Sequence, residues 1–417
     1  MSELDHNDTE TRTDRRKFLK ISGATAAGVA GTTVIPTLTQ SGKAHAAPSR
    51  TASASNVWVN ANTTRAAFYS KFLKLMETVD TSWISANDTY FIKLALNSGF
   101  QYPATTDPKL LYSMLKFLKE EHGVPARNIT VGDQSGLEYV GRVRGSSERF
   151  AENTGLMAEI KAAGVKSIFP DDTPYNSGYF NEKPEGSTIW PNGINIANIV
   201  REVDHIIYLP RVSHHVQGDI TNGLKLGVGL TRIDSRADFH QGGENFYAMY
   251  SEIADVPSVK SRLRLLVSSA TEIQTTFGPD FGYKPNLSDG MMIASNDMMA
   301  HELICYSFLK YGILQKTPRL TKMAWNTLDN FRNLSNVFFV SVFMLDVPGR
   351  RLRTPRIAQF RGERENLLSH PAIRHHMRRN GNISTLTWNV ERGGPSSIVN
   401  AMRGYLGSVN MDIDNFS

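Results

Sequence analysis

Between residues 90 and 311, short apolar runs alternate with segments of helical period, and this alternation constrains the fold more than any other feature of the chain. The runs occupy residues 90–96, 129–131, 167–169, 204–209, 264–268 and 291–294. Residues 108–122 set Leu110, Leu111, Met114, Leu115 and Leu118 on one side of a helix, and helical patterns also cover 64–79, 149–163 and 297–311. Strands separated by helical crossovers predict an α/β fold: a largely parallel sheet with flanking helices. In open sheets of this kind ligands collect outside the carboxyl ends of the strands, where loops and helix N-termini gather. Just beyond the six runs stand Asn97, Asp133, Asp171-Asp172, His214-His215, Thr271-Glu272 and Asn296-Asp297, a ring of polar side chains. Strand-to-helix loops also need Asp and Asn as N-caps, and for Asp133 and Asp297 that role explains the residue equally well.

A single cysteine among 417 residues narrows the chemistry. It excludes an intramolecular disulfide, a CxxC redox pair, a four-cysteine zinc site and a cysteine-ligated iron–sulfur cluster within one chain. Cys305 sits in an apolar helical run and reads as a core thiol. A metal would rely on His, Asp, Glu or Asn. The stretch from Leu209 to His240 is the most informative: a strand ends in His214-His215, a glycine-containing turn leads to Lys225 among glycines and apolar residues, and His240 comes fifteen residues later. Neutral imidazoles are common metal ligands, so His214, His215 and His240 are candidate ligands for a divalent metal. A desolvated lysine serves as an amine nucleophile or an anion clamp, so Lys225, with His214 and Asp297, is a catalytic candidate. Lys225, Asn97 and Asp133 are candidates for holding a cofactor or a small anionic ligand. A loop histidine is as readily an ordinary hydrogen-bond donor. Gly227-Val228-Gly229 lacks the third glycine and strand-to-helix context of a dinucleotide fingerprint, and no Gly-x-Ser-x-Gly, His-Glu-x-x-His or Walker-type loop is present.

Residues 1–46 read as a targeting segment. Asp14-Arg15-Arg16-Lys17-Phe18-Leu19-Lys20 resembles a twin-arginine export signal, and Ala44-His45-Ala46 offers small residues for cleavage before Ala47. The resemblance implies passage through the twin-arginine translocase to the periplasm or exterior, no nucleic-acid partner, and no permanent membrane span after cleavage. Residues 47–64, rich in Ala, Ser, Thr and Asn, read as a flexible linker to an α/β domain at 65–316.

The ordered motifs resemble the family known as domain of unknown function 362. Ile92-Lys93-Leu94-Ala95-Leu96-Asn97 is similar to its Lys-x-Asn strand end, Thr105-Thr106-Asp107-Pro108 to its Thr-x-Pro helix entry, and Pro210-Arg211-Val212-Ser213-His214 to its Pro-Lys-x-Lys-Thr-His element. Further matches are Ile129-Thr130-Val131-Gly132-Asp133-Gln134-Ser135-Gly136, Leu224-Lys225-Leu226-Gly227-Val228-Gly229 and Ala294-Ser295-Asn296-Asp297-Met298-Met299-Ala300. Ser213, Leu226 and His301-Glu302 depart from the usual pattern, and the cysteine-rich ferredoxin-like module of many members has no counterpart. A more distant similarity, to nickel-pincer lactate racemases, implies a lysine-tethered cofactor at Lys225, a His-ligated nickel at His214, His215 or His240, and a small hydroxy acid as substrate. The competing expectation is a non-catalytic periplasmic binding or assembly protein.

The net charge of +6 is concentrated: residues 317–417 carry 13 Arg and one Lys against seven carboxylates, a net of +7. Residues 350–381 hold nine of the arginines with His370, His375 and His376, and 371–379 reads as a short helix. An Arg-rich C-terminal subdomain at 317–417 is expected, serving either as an anion-facing surface or as an exterior with local Arg–carboxylate pairs.

Overall fold

A computed structural model describes residues 53–59, 64–136, 146–215, 217–240, 242–276, 278–280, 282–287, 290–329, 366–383, 385–392, 394–407 and 409–416, all within one compact unit, Ala44–Ser417. The expected export signal at 1–46 and most of the arginines of 350–381 lie outside the described residues.

The strands are β1 (Ser53–Val59), β2 (Tyr90–Leu94), β3 (Ile129–Gly132), β4 (Lys166–Ile168), β5 (Tyr179–Glu182), β6 (Ile194–Ala197), β7 (His205–Leu209), β8 (Arg211–His215), β9 (Asp219–Thr221), β10 (Leu263–Gln274), β11 (Gly290–Ser295), β12 (Thr385–Glu391) and β13 (Asn410–Phe416). The main sheet has 11 strands along the path β13-β12-β1-β11-β10-β7-β2-β3-β4, with β8 and β9 attached beside β10, while β5 and β6 pair separately. Along that path every pair is parallel except those made by β11, which is antiparallel to β10 and to β1. The α/β expectation with a largely parallel sheet therefore holds.

Both faces of the sheet are covered, which is why β2 is apolar on both sides apart from Lys93 rather than alternating; all five of its residues are buried. Alternate residues feed opposite cores. Phe91, Ile206, Tyr208 and Leu266 join one cluster, and Tyr90, Ile92, Ile207, Leu209 and Leu265 the other. The second face is covered by α1 (Arg65–Met76), α2 (Pro108–Lys116), α3 (Ser146–Asn153) and α4 (Leu156–Ala163). Asp107 caps α2 by accepting from the Lys109 amide, with Pro108 at the first turn. The helical pattern over 149–163 predicts one helix. The chain instead forms α3 and α4, separated by Thr154-Gly155, where Gly155 takes φ 81°, a left-handed conformation suited to glycine. The remaining described α-helices of seven residues or more are α5 (Ile233–His240), α6 (Phe246–Glu252), α7 (Met298–Tyr311), α8 (Arg319–Asp329), α9 (Pro371–Asn380) and α10 (Ser396–Leu406).

Two boundaries differ from expectation for one reason. Residues 53–59, whose composition reads as flexible linker, form β1, which lies between β11 and β12. β12 and β13 then extend the same sheet, and α9 and α10 pack on α6 and α7. A sheet edge exposes unpaired backbone groups, and these segments cover the one β11 would present. Residue 316 is accordingly no boundary, and the described part of 317–417 builds onto the α/β unit rather than standing apart.

From β2 the chain moves to β3 and β4 on one side, then returns to β7 and β10 on the other. The switch in direction falls between β2 and β7, so the crevice beyond their carboxyl ends is where an open α/β sheet receives a ligand.

Candidate functional site

The floor of this crevice is a buried ion pair. Lys93 on β2 and Asp133 just after β3 are 2.5 Å apart, with Lys93 wholly buried. Lys93 Nζ also donates to Leu94 O, while Asp133 accepts from the backbone amides of Leu96 (2.6 Å) and Gln134 (2.7 Å). Burial draws the Lys93 ammonium below its usual range and lifts the Asp133 carboxyl above its own, each opposed mainly by the other's charge. Gly229 lies directly over the pair: a Cβ there would come within 1.9 Å of Asp133 Oδ1 and 2.6 Å of Lys93 Nζ, so the glycine is required by close approach.

Around this floor the loops are tied down. Arg236 on α5 donates to the carbonyls of Ser135 (2.8 Å), Gln134 (3.0 Å) and Thr231 (3.2 Å), fastening the loop after β3. Asn97 and Ser98, beyond β2, both donate to Asp280 Oδ1, at 3.0 and 2.6 Å. Glu302 on α7 is buried and accepts from the amides of Gly223 and Leu224, holding the helical turn Gly223–Leu226 that carries Lys225. Burial pushes the Glu302 carboxyl up to about 7, against those two amides.

Within this frame basic groups converge. Arg211, at the start of β8, is 1% exposed. Its Nη1 donates to Ala104 O and Pro279 O, whereas Nε and Nη2 are buried with no hydrogen-bond partner among the described residues. Burial pulls Arg211 down to about 10, partly offset by Asp280 and Asp133. Lys225 is half-buried and forms no ion pair with a described carboxylate. Burial, then the charges of Arg211 and Arg236, bring its amine down to about 7. Tyr208 on β7 contributes a buried hydroxyl without a hydrogen-bond partner among the described residues; a Cβ on Gly227 would lie 3.6 Å from it.

The histidines divide by tautomer and by strand face. His215 Nδ1 accepts from the amides of Gln217 (3.1 Å) and Gly218 (3.2 Å), so the neutral ring carries its proton on Nε2. Burial, then Lys225 and Arg211, hold it well below its ordinary pKa. His240 shows the reverse arrangement: Nδ1–H donates to Arg236 O at 2.8 Å, leaving the lone pair on Nε2. Burial brings His240 down to about 3. His214 and His215 are adjacent on β8 and so leave it on opposite faces; the His214 ring packs edge-on against Trp325 on α8, with centroids 4.6 Å apart.

The histidines are not equivalent as donors: His240 keeps a lone pair on Nε2, whereas His215 does not. A ligating nitrogen needs a lone pair, and the His215 nitrogen not engaged with the backbone holds the proton instead. Among the described residues no three His, Cys, Asp or Glu side chains are grouped to hold an ion.

Of the residues expected from sequence, Asp133, Lys225, His215 and His240 do meet at the crevice, and Asn97 borders it through Asp280. Asp297 does not. Because β11 runs antiparallel, its carboxyl end lies at the opposite edge of the sheet, where Asn296 bonds Arg264 O at the entry to β10. Asp297 caps α7 by accepting from Ala300 N at 2.8 Å. Lys93, Arg211, Tyr208 and Glu302 are site residues absent from the candidates read from sequence, although Lys93 and Arg211 lie within the matched motifs. The available signal is a charged residue interrupting an apolar run, as Lys93 does in Tyr-Phe-Ile-Lys-Leu and Glu302 in α7.

The model of the family described as Domain of unknown function (DUF362) matches residues 91–307. The chain belongs to the DUF362 family. The matched span of this DUF362 protein includes Lys93, Asp133, Arg211, Lys225, His240 and Glu302, and ends before α8. No curated protein and no solved structure matches the chain.

Proposed function

We propose that this DUF362 protein binds a small anion, a carboxylate or an inorganic oxyanion, in the crevice between the carboxyl ends of β2 and β7. The observation that carries this reading is the state of Arg211: a buried guanidinium whose Nε and Nη2 have no partner among the described residues, beside Lys225 and His215. Asp280 and Asp133 offset only part of the cost of burying this cation, and Nε with Nη2 form the edge of a guanidinium that matches two oxygens of one anion. The ligand would supply the missing negative charge. Glu302 and Arg236 act indirectly, by fixing the Lys225 turn and the loop after β3.

Calorimetric titration of the full chain with sulfate and with acetate tests this. Saturable binding at one site per chain, lost in Arg211→Met while the thermal transition persists, is the expected result; no binding of either anion by the folded wild-type chain overturns it. The Arg15-Arg16 pair and Ala44-His45-Ala46 support export by the twin-arginine route, with the mature protein outside the cytoplasm. Replacing both arginines with lysine should retain the protein inside the cell, and an unchanged distribution would remove that part of the proposal.

A further inference from the structure

Lys225 has features that anion binding alone does not require. Its Cδ and Cε run alongside Gly218, where a Cβ would sit 3.1 Å from each, so the glycine leaves a channel for the side chain. The turn that carries it is pinned from below by Glu302 through the Gly223 and Leu224 amides. The residue is only half-buried, so its Nζ is reachable from outside, and it forms no ion pair with a described carboxylate. The charges that act on it most are those of Arg211 and Arg236, and Arg236 is committed to three backbone carbonyls. A lysine beside fixed cations in a desolvated site is an amine nucleophile rather than an ammonium.

We infer that Lys225 forms an imine with a small oxo acid whose carboxylate is held by Arg211 Nε and Nη2. This inference rests on the anion-binding reading above and assigns the ligand's second functional group. The Nζ lone pair attacks the carbonyl carbon, and the C=O π pair moves to oxygen. That oxygen takes up a proton, giving a carbinolamine. Nζ keeps one bond to carbon and forms a second as the oxygen departs with two hydrogens as water; the products are one imine and one water, with no oxidant or reductant. His215 presents Nε2–H because its Nδ1 is occupied by the Gln217 and Gly218 amides. A neutral imidazole so oriented polarises a carbonyl oxygen by hydrogen bonding, without needing to be charged. The proton that leaves the attacking nitrogen is the one the carbonyl oxygen takes up, so the addition needs no outside base.

The test uses the full chain, pyruvate as probe and cyanoborohydride to reduce any imine to a stable secondary amine, with peptide mass mapping as the readout. The expected result is a single adduct on the peptide containing Lys225, absent in Lys225→Met and reduced at least tenfold in Arg211→Met. Trapping at the Lys225 peptide should rise as pH increases through about 7, as the amine is released from its proton. Calorimetry with acetate, which has no ketone, separates the two proposals. If acetate binds but Lys225 remains unmodified by pyruvate, or is modified no faster than surface lysines, the imine is overturned and anion binding stands. If the folded chain binds neither acetate nor sulfate, the anion-binding reading fails, and the imine inference with it.

Discussion

Two basic regions of this molecule treat positive charge in opposite ways. In the crevice, buried Arg211 and half-buried Lys225 have no contacting carboxylate among the described residues, whereas Lys93 has an acidic partner, Asp133. On α9, by contrast, Arg379 donates to Asp255 Oδ2 at 3.0 Å and lies 3.2 Å from Glu252 Oε1, while His375 Nε2 meets Glu252 Oε1 at 2.8 Å. Asn380 adds a bond to Asp255 at 2.8 Å. Arg379 and His375 are thus satisfied internally, joining a C-terminal helix to α6 and the turn after it. A basic segment is thus no guide to a ligand; what distinguishes the crevice is cationic groups whose donors lack internal acceptors. The C-terminal segment still reaches the back of the site. His370, buried, stands 3.4 Å from Asp219 Oδ2, which also accepts from Tyr247, and Asp219 adopts φ 63° next to Gly218.

That contrast can be broken most severely at its one paired cation in the crevice. Asp133→Asn leaves Lys93 buried without a counter-charge and should destabilise the fold by about 3–5 kcal/mol, read from denaturant unfolding. A loss below about 1 kcal/mol would mean that the pair does not anchor the crevice. Arg211→Met should reduce sulfate affinity on the order of 100-fold, about 3 kcal/mol, as expected when one side of a buried charged contact is truncated. Arg379→Met should do the opposite: lower stability by about 2 kcal/mol, because Glu252 and Asp255 remain buried, and leave sulfate affinity unchanged. Equal effects of both arginine substitutions on affinity would erase the distinction between the two regions.

The smallest effect is in pH. Lys225 is held near 7 in the folded chain against an ordinary value of 10.5, so between those values the unfolded chain binds more protons and stability rises with pH. Sulfate affinity should move the other way, weakening a few-fold as pH rises through about 7 and Lys225 loses its charge. Lys225→Met should flatten both slopes; a stability curve that falls across pH 7–10 in the wild type and not in the variant would reverse the assignment.

Much of this arrangement is legible in the chain itself. The alternation of apolar runs with amphipathic helices announces the α/β unit, and Asp133, His215, Lys225 and His240 all lie in or beyond segments that leave the carboxyl end of an apolar run. Asp297 satisfies the same rule and is misplaced by it, because a run such as Met291–Ala294 looks identical whichever way it points through the sheet. His214 and His215 pair by adjacency in the sequence, although adjacent strand residues face apart once β8 is known to be a strand. Arg211 follows an apolar run and Glu302 interrupts one, but their roles come from partners distant in sequence: one through Ala104, Pro279 and Lys225, the other through the Gly223 and Leu224 amides.

Periodicity and composition are local properties of the chain, and they suffice for the class of the fold, the basic C-terminal quarter and the exclusion of cysteine-based cofactors. It takes the folded chain to make β1, β12 and β13 complete one sheet, to carry Asp297 on β11 to the far edge, and to bring Arg211 and Lys225 into one crevice with no described carboxylate in contact. Those outcomes depend on strand direction and on which residues distant in sequence are desolvated together, and both are set by long-range pairing and packing rather than by any segment's own pattern.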